Sequence, residues 1–138
     1  MSEECFWDII NATRMGQYLT KKEQKFIDLA IEDNTHIKTC LEIGAGSGRF
    51  SIPLYKKGCD IVALDLDLIS LRKLHEKNGD VPLLHANAHY LPFKDSSFDC
   101  VLAIEVLEEA GAGISSIHNF LSECYRVLKN DGILLITI

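Results

Sequence analysis

The stretch Leu41-Glu42-Ile43-Gly44-Ala45-Gly46-Ser47-Gly48-Arg49-Phe50 decides the fold. A short apolar run reaches an acidic residue and three glycines follow at alternate positions. Phe50, Ile52 and Leu54 then recur at helical spacing. A buried strand that turns sharply into a helix reads this way, because glycine serves where φ is positive or where a Cβ would block a ligand approaching the backbone. The helix that follows presents unpaired N–H groups and the positive end of its dipole. The pattern points to a nucleotide-like or carboxylate-bearing cofactor without saying which.

Downstream of this stretch, short apolar runs alternate with helical patterns. The runs lie at residues 40–43, 61–64, 81–84, 101–104 and 133–138, each nearly continuous, as strands covered on both faces should be. Helices are predicted at 47–57, 67–77 and 115–129. Such alternation builds a parallel sheet with right-handed crossovers. Pro53 falls early in the first of these helices, where a bend is expected. Asn130-Asp131-Gly132 reads as the turn between the last helix and the last strand. Upstream, residues 3–34 read as helical with a break near 14–19. Thr20-Lys21-Lys22-Glu23 has the form of a capping box, and Phe26, Ile27, Ala30 and Ile31 form an apolar stripe. The organisation expected is one domain, 1–138, with an N-terminal helical segment (1–36) ahead of the sheet (37–138). The final strand, 133–138, would leave an apolar edge open to pairing, so a chain cut short or a homodimer through that edge is expected.

Composition narrows the function. The chain has 138 residues, 47% of them hydrophobic, and a formal net charge of −6. Bulk affinity for nucleic acid is not expected, since phosphate neutralisation needs clustered Lys and Arg. The five cysteines are widely spaced, with no CxxC. No disulfide framework or zinc site is expected, and Cys40, Cys59 and Cys100, in or beside apolar runs, read as small buried thiols. No apolar run approaches the ~20 residues of a membrane span, and no signal peptide is visible, so a cytoplasmic protein is expected.

In an open parallel sheet, ligands bind beyond the carboxyl ends of the strands, near the point where strand order reverses. Glu42 and the glycines end the first strand, Asp65 the second, Asn87 and Ala88 follow the third, and Glu105 follows the fourth. Asp65 stands 21 positions after Gly44, where a carboxylate can accept from both hydroxyls of a ribose. Asp67 is assigned to the N-cap of the following helix instead. A dinucleotide enzyme and a methyltransferase both fit these residues. The loop lacks the GxGxxG spacing, and Glu42 would repel a pyrophosphate but welcome an ammonium group.

Further segments decide between them. His85-Ala86-Asn87-Ala88-His89-Tyr90-Leu91-Pro92-Phe93 precedes Ser97-Phe98-Asp99-Cys100-Val101-Leu102. Glu105-Val106-Leu107-Glu108 and Tyr125-Arg126-Val127-Leu128-Lys129-Asn130-Asp131-Gly132-Ile133-Leu134 follow. With the glycine loop, this order and spacing resembles the class I S-adenosylmethionine-dependent methyltransferases, especially the type 11 (UbiE-like) group, over residues 38–138. The resemblance implies an α/β fold, a Rossmann-like doubly wound parallel sheet in strand order 3-2-1-4-5 with helices on both faces. It implies S-adenosylmethionine as cofactor and roles for individual residues. Gly44, Ala45 and Gly46 would pass under its methionine portion, and Glu42 would face its amino group. Asp65 would hold the ribose and Leu66 would pack on the adenine. Asn87, which stands where the group commonly has Asp, would accept from the adenine amino group, and the N–H of Ala88 would meet an adenine nitrogen. Ile104 and Glu105 would line the cofactor near the sulfonium. The group usually has Pro-Gly-Gly where this chain has Asn130-Asp131-Gly132, and many relatives carry His where it has Glu109. Relatives also continue with two further strands.

The acceptor implied is a small-molecule or lipid-like compound. The Asn/Asp-Pro-Pro-aromatic signature of amide and base N-methyltransferases is absent, and Ile104-Glu105-Val106-Leu107 stands in its place. No catalytic side chain is assigned. Where an acceptor proton must be removed, Glu105, Glu108, Glu109 and His89 are the candidates near the strand ends. His85 and His89 leave a strand and enter a loop, with no third ligand in sight, so no metal is expected. Phe6, Trp7, Ile9 and Ile10 form an apolar cluster ahead of the sheet. It either packs on the sheet or forms a lid, with Arg14, Tyr18 or both near the cofactor carboxylate.

Overall fold

The computed structural model describes residues 5–106 and 113–138. Five strands, β1 (Thr39–Ile43), β2 (Asp60–Asp65), β3 (Leu83–His85), β4 (Phe98–Ile104) and β5 (Leu128–Thr137), form one sheet in the order β3-β2-β1-β4-β5. Every neighbouring pair is parallel. This is the order the resemblance implied, with its reversal between β1 and β4. Helix α3 (Ser51–Lys56) connects β1 to β2, α4 (Leu68–Lys77) connects β2 to β3, and α5 (Ile114–Val127) connects β4 to β5. Two helices precede the sheet, α1 (Phe6–Asn11) and α2 (Arg14–Asp33).

Strand alternation divides the core in two. Cys40, Ile61, Ala63, Cys100, Leu102 and Ile104 point to the face covered by Ile27 of α2, Leu54 of α3 and Leu74 of α4. Leu41, Ile43, Leu64, Val101 and Ala103 point to the other face, against Phe120, Cys124 and Val127 of α5. Glu42 shares a face with Cys40, so its carboxylate enters the layer beneath α3. Register therefore aims the one charged residue of β1 at the glycine loop. Among the described residues, no helix is long and apolar enough to cross a membrane.

Several sequence expectations are corrected. The N-terminal break falls at residues 12–13, and Thr13 caps α2 by accepting from Gly16 N at 3.0 Å. Thr20 and Glu23 lie inside α2 and form no capping box. Their side chains are taken by tertiary partners, Asn11 and Arg49. Gly16 lies where a Cβ would collide with the backbone carbonyl of Ile10, so it permits the close approach of α1 to α2. The third helix begins at Ser51, not residue 47, because Gly44, Gly46 and Gly48 all take positive φ. Pro53 is then in the first turn, where its fixed φ suits a helix start. Strand β3 starts only at Leu83, after Pro82. Strand β4 begins earlier than predicted, at Phe98. Helix α5 ends at Val127, and the predicted turn at 130–132 is instead an irregularity within β5. Phe98 pairs with Leu128, whereas Cys100 pairs with Ile133. Strand β5 thus starts at Leu128 rather than residue 133, with Gly132 packed under the carbonyl of Asp99.

Candidate functional site

The carboxyl ends of β1, β2 and β4 meet the glycine loop at the switch point. Gly44 leaves β1 with φ of 72°, and its N–H donates to the carbonyl of Leu64 at 2.9 Å. A Cβ on Gly44 would run into the side chain of Val106, which follows β4. The chain turn and the neighbouring strand end both require glycine here.

Asp65 anchors the loop from β2. One carboxylate oxygen accepts from Gly46 N at 2.8 Å and the other from Asp67 N at 2.8 Å. Each oxygen keeps lone-pair capacity for a further donor. Asp67 caps α4, accepting from Ile69 N at 3.1 Å and Ser70 Oγ at 2.7 Å. The division of labour between the two aspartates therefore follows the one expected for Asp67.

Glu42 is 2% exposed. Its Oε1 accepts from Ser51 Oγ at 2.8 Å, while Oε2 is buried without a hydrogen-bond partner. Burial pushes the carboxyl up to about 8, against the lowering effects of Ser51 and Arg49, and the charge of Asp65 adds to the rise. A buried acceptor without a donor is costly, and a cation brought to it would relieve that cost.

Two cavities flank Gly44. The first, about 90 Å³, lies between Leu64, Asp65 and Leu66 on one side and Ala86, Asn87, Ala88 and His89 on the other. Phe120 and Val106 are also part of its lining. The second, about 30 Å³, is lined by Glu42, the glycine loop, Ile104, Phe50, Arg49 and Trp7. The sequence-predicted residues divide between them. Asp65, Leu66, Asn87 and Ala88 line the first, Glu42, Ala45, Gly46 and Ile104 the second, and Gly44 both. The Asn87 amide oxygen is turned back to accept from His89 N at 2.9 Å. The N–H of Ala88 makes no hydrogen bond among the described residues.

Glu105 lines neither cavity. It adopts φ of 57°, an uncommon conformation for a residue with a side chain. Its N–H donates to Thr137 Oγ1 at 3.0 Å, and its carboxylate lies 3.5 Å from the Arg49 guanidinium. Of the other candidate bases, His89 sits in the first cavity, in contact with Asn119 and Phe120. Glu108 and Glu109, with Leu107, lie outside the described residues. His85 is occupied by the carbonyl of Leu66 at 2.9 Å.

The sequence reading missed a group of residues that closes the second cavity. Arg49 donates to Glu23 at 2.7 Å and to Thr20 at 3.1 Å, and its guanidinium lies between the rings of Trp7 at 3.6 Å and Phe50 at 4.2 Å. Burial raises the Glu23 carboxyl, Arg49 opposes this, and Glu105 adds to the rise. On α1, Asp8 accepts from Ser47 Oγ and from Lys77, each at 2.8 Å. Helix α1 thus lies over the glycine loop, while α2 packs on the sheet through Ile27. The apolar cluster Phe6, Trp7, Ile9 and Ile10 belongs to α1, whose side chains reach Arg49, Ser47 and Lys77. Arg14 is exposed, and Tyr18 lies under the ammonium of Lys22; neither lines the first or the second cavity. The signal for Arg49 was its place directly after the third glycine. Glu23 and Thr20, three residues apart, carried a helical-face signal that reads equally well as a cap.

A family profile described as "Methyltransferase domain" matches residues 41–136. An uncharacterized protein of Methanocaldococcus jannaschii is 30% identical over 123 residues, which covers 89% of this chain and 44% of that protein. A demethylmenaquinone methyltransferase of Renibacterium salmoninarum is 33% identical over 96 residues, 70% of this chain and 39% of that enzyme. A crystal structure of a Pyrococcus horikoshii protein superposes with a TM-score of 0.76 at 23% identity, covering 91% of this chain and 55% of that one, and shows the shared fold. The chain spans less than half the length of these two curated relatives. Strand order, glycine loop and profile agree, and the chain belongs to the methyltransferase domain family, the S-adenosylmethionine-dependent type 11 group that its motifs resemble.

Proposed function

We propose that this chain is the cofactor-binding core of an S-adenosylmethionine-dependent methyltransferase acting on a small-molecule or lipid-like acceptor. The observation that carries this reading is Glu42, which lines a cavity floored by the glycine loop and whose buried Oε2 has no hydrogen-bond partner. A carboxylate there suits the ammonium of an amino-acid tail and disfavours a pyrophosphate. In this reading the adenosine occupies the first cavity and the amino-acid tail the second, with Gly44 between them.

When bound, S-adenosylmethionine would supply an electrophilic methyl carbon, to which an acceptor atom bonds in line as the carbon–sulfur bond breaks and S-adenosylhomocysteine is left. The chain supplies orientation and a dry site. Asp65, already fixed through both oxygens by the N–H groups of Gly46 and Asp67, accepts from the ribose hydroxyls. Leu66 covers the adenine face and the N–H of Ala88 donates to a ring nitrogen. Asn87 accepts from the adenine amino group with the same oxygen that holds His89 N. Ile104 packs beside the sulfonium and Glu105 stands at the acceptor side. Alignment of this kind is worth roughly 7–11 kcal/mol. The net charge of −6 argues for an acceptor other than nucleic acid, and one relative's name, demethylmenaquinone methyltransferase, supports a lipid-like one.

The test is calorimetric titration of the chain with S-adenosylhomocysteine beside Asp65→Ala. Binding that weakens roughly 10- to 100-fold in the variant supports the reading. A folded chain that does not bind, or a variant that binds as well, refutes it.

A further inference from the structure

Glu42 accounts for one end of a zwitterionic amino-acid tail. The other end, a carboxylate, needs a cation, and neither Arg14 nor Tyr18 is placed to serve. Among the described residues, Arg49 is the one Lys or Arg that lines either cavity. Lys77, at the end of α4, is paired with Asp8 at 2.8 Å and Ser47 at 3.1 Å. The Arg49 side chain is 8% exposed and held flat between two aromatic rings, so its orientation is set before any ligand arrives.

The guanidinium is used unequally along its two edges. Nη1 donates to both Thr20 and Glu23 at hydrogen-bond distance. Nη2 has only the 3.5 Å contact to Glu105, whose side chain is 32% exposed and free to turn to solvent. Nε makes no hydrogen bond among the described residues. The Nε–Nη2 edge is therefore an unfilled fork of the shape that takes a carboxylate through two parallel bonds. Glu23, at 2.7 Å and 14% side-chain exposure, is the anchor that stays.

We infer that Arg49 binds the carboxylate of the cofactor's amino-acid tail through its Nε–Nη2 edge, exchanging its long contact with Glu105 for that carboxylate. The assignment rests on the cofactor reading above and extends it to a residue outside the set implied by the resemblance. Two consequences follow from the geometry. Trp7 lines the second cavity beside Arg49, so a tail entering there changes the surroundings of the indole. Glu105, released from Arg49, becomes available to face the acceptor.

The experiment compares three ligands by calorimetry: S-adenosylhomocysteine, its decarboxylated analogue, and 5′-methylthioadenosine, which lacks the whole tail. The wild-type chain should prefer S-adenosylhomocysteine over the decarboxylated analogue by roughly 10- to 100-fold. Arg49→Met should erase that preference and leave 5′-methylthioadenosine binding unchanged, which also reports an intact fold. Arg49→Lys, which keeps the charge without the fork, should retain part of the preference and decides the matter if the methionine variant does not fold. Trp7 is the sole tryptophan, so its fluorescence should shift with S-adenosylhomocysteine and not with 5′-methylthioadenosine. The inference is overturned if Arg49→Met weakens S-adenosylhomocysteine and its decarboxylated analogue equally, or if the preference survives in both variants. A folded wild-type chain that binds none of the three overturns the cofactor reading itself.

Discussion

Replacing Glu42 with glutamine removes one ionisable group and little else. Glutamine keeps the size of the side chain, and its amide oxygen can still accept from Ser51 Oγ. In the wild-type chain, burial holds the Glu42 carboxyl up at about 8, against an ordinary value of 4.5. A carboxyl at that value is about nine-tenths protonated at pH 7. Bringing an ammonium group to Oε2 favours the carboxylate, so S-adenosylhomocysteine binding at pH 7 should release close to one proton. The assay is calorimetry in buffers of different ionisation enthalpy, where the slope of observed enthalpy counts protons. Glu42→Gln should abolish the slope and weaken binding by roughly 10- to 100-fold. The same shift predicts the stability profile without ligand. A carboxyl raised on folding contributes stability that is complete below pH 4.5 and is lost as pH rises toward 8. The loss reaches about 3 kcal/mol by pH 7 at 1.36 kcal/mol per unit. Urea unfolding across pH 5–8 should therefore show wild-type stability falling with pH and a flatter line for Glu42→Gln. Tight binding with no buffer dependence in the wild type, together with parallel stability profiles, would refute the argument.

Other perturbations follow from single contacts. Gly44→Ala combines positive φ with a collision against Val106, so it should cost about 1–3 kcal/mol in stability and weaken cofactor binding, both read by ligand-dependent thermal shift. An unchanged melting temperature and affinity would mean the loop is not constrained as described. Gly16→Ala drives a Cβ into the Ile10 carbonyl and should lower stability by about 1–3 kcal/mol while leaving 5′-methylthioadenosine binding intact, since α1 covers only the second cavity. Loss of nucleoside binding in that variant would contradict the division between cavities. Asp99 is held well below its ordinary 3.8, chiefly by the N–H of Thr39, against burial and with help from Lys38 N–H, the Thr39 hydroxyl and Lys129. Its contribution should be present above about pH 4 and lost as pH falls below that value, and Asp99→Asn should flatten the acid limb of the stability curve. An acid limb unchanged in the variant would count against it.

The alternation of apolar runs and helical patterns was enough to read a parallel sheet with a cofactor loop at its switch point, because strand faces and glycine turns are local consequences of residue order. Asp65 and Asp67 could be told apart for the same reason: a residue at a strand's end and one just before a helix have different local tasks. Boundaries were less legible where two structures compete for the same residues. Asn130-Asp131-Gly132 has turn chemistry, yet β5 continues through it because β4 lies alongside and pairs on both sides of the irregularity. Thr20 and Glu23 have capping chemistry, yet α2 runs through them because Thr13 caps it earlier and Arg49 claims their side chains.

By itself, then, the sequence determined the sheet, the loop and the strand ends where a ligand belongs, all set by short-range pattern. Only the tertiary structure decided the electrostatics of the site. That Glu42 has one satisfied and one orphaned oxygen, and that Arg49 has one filled and one open edge, depends on residues brought from α1, α2 and β4. Burial and pairing are properties of those distant neighbours, and no spacing along the chain encodes them.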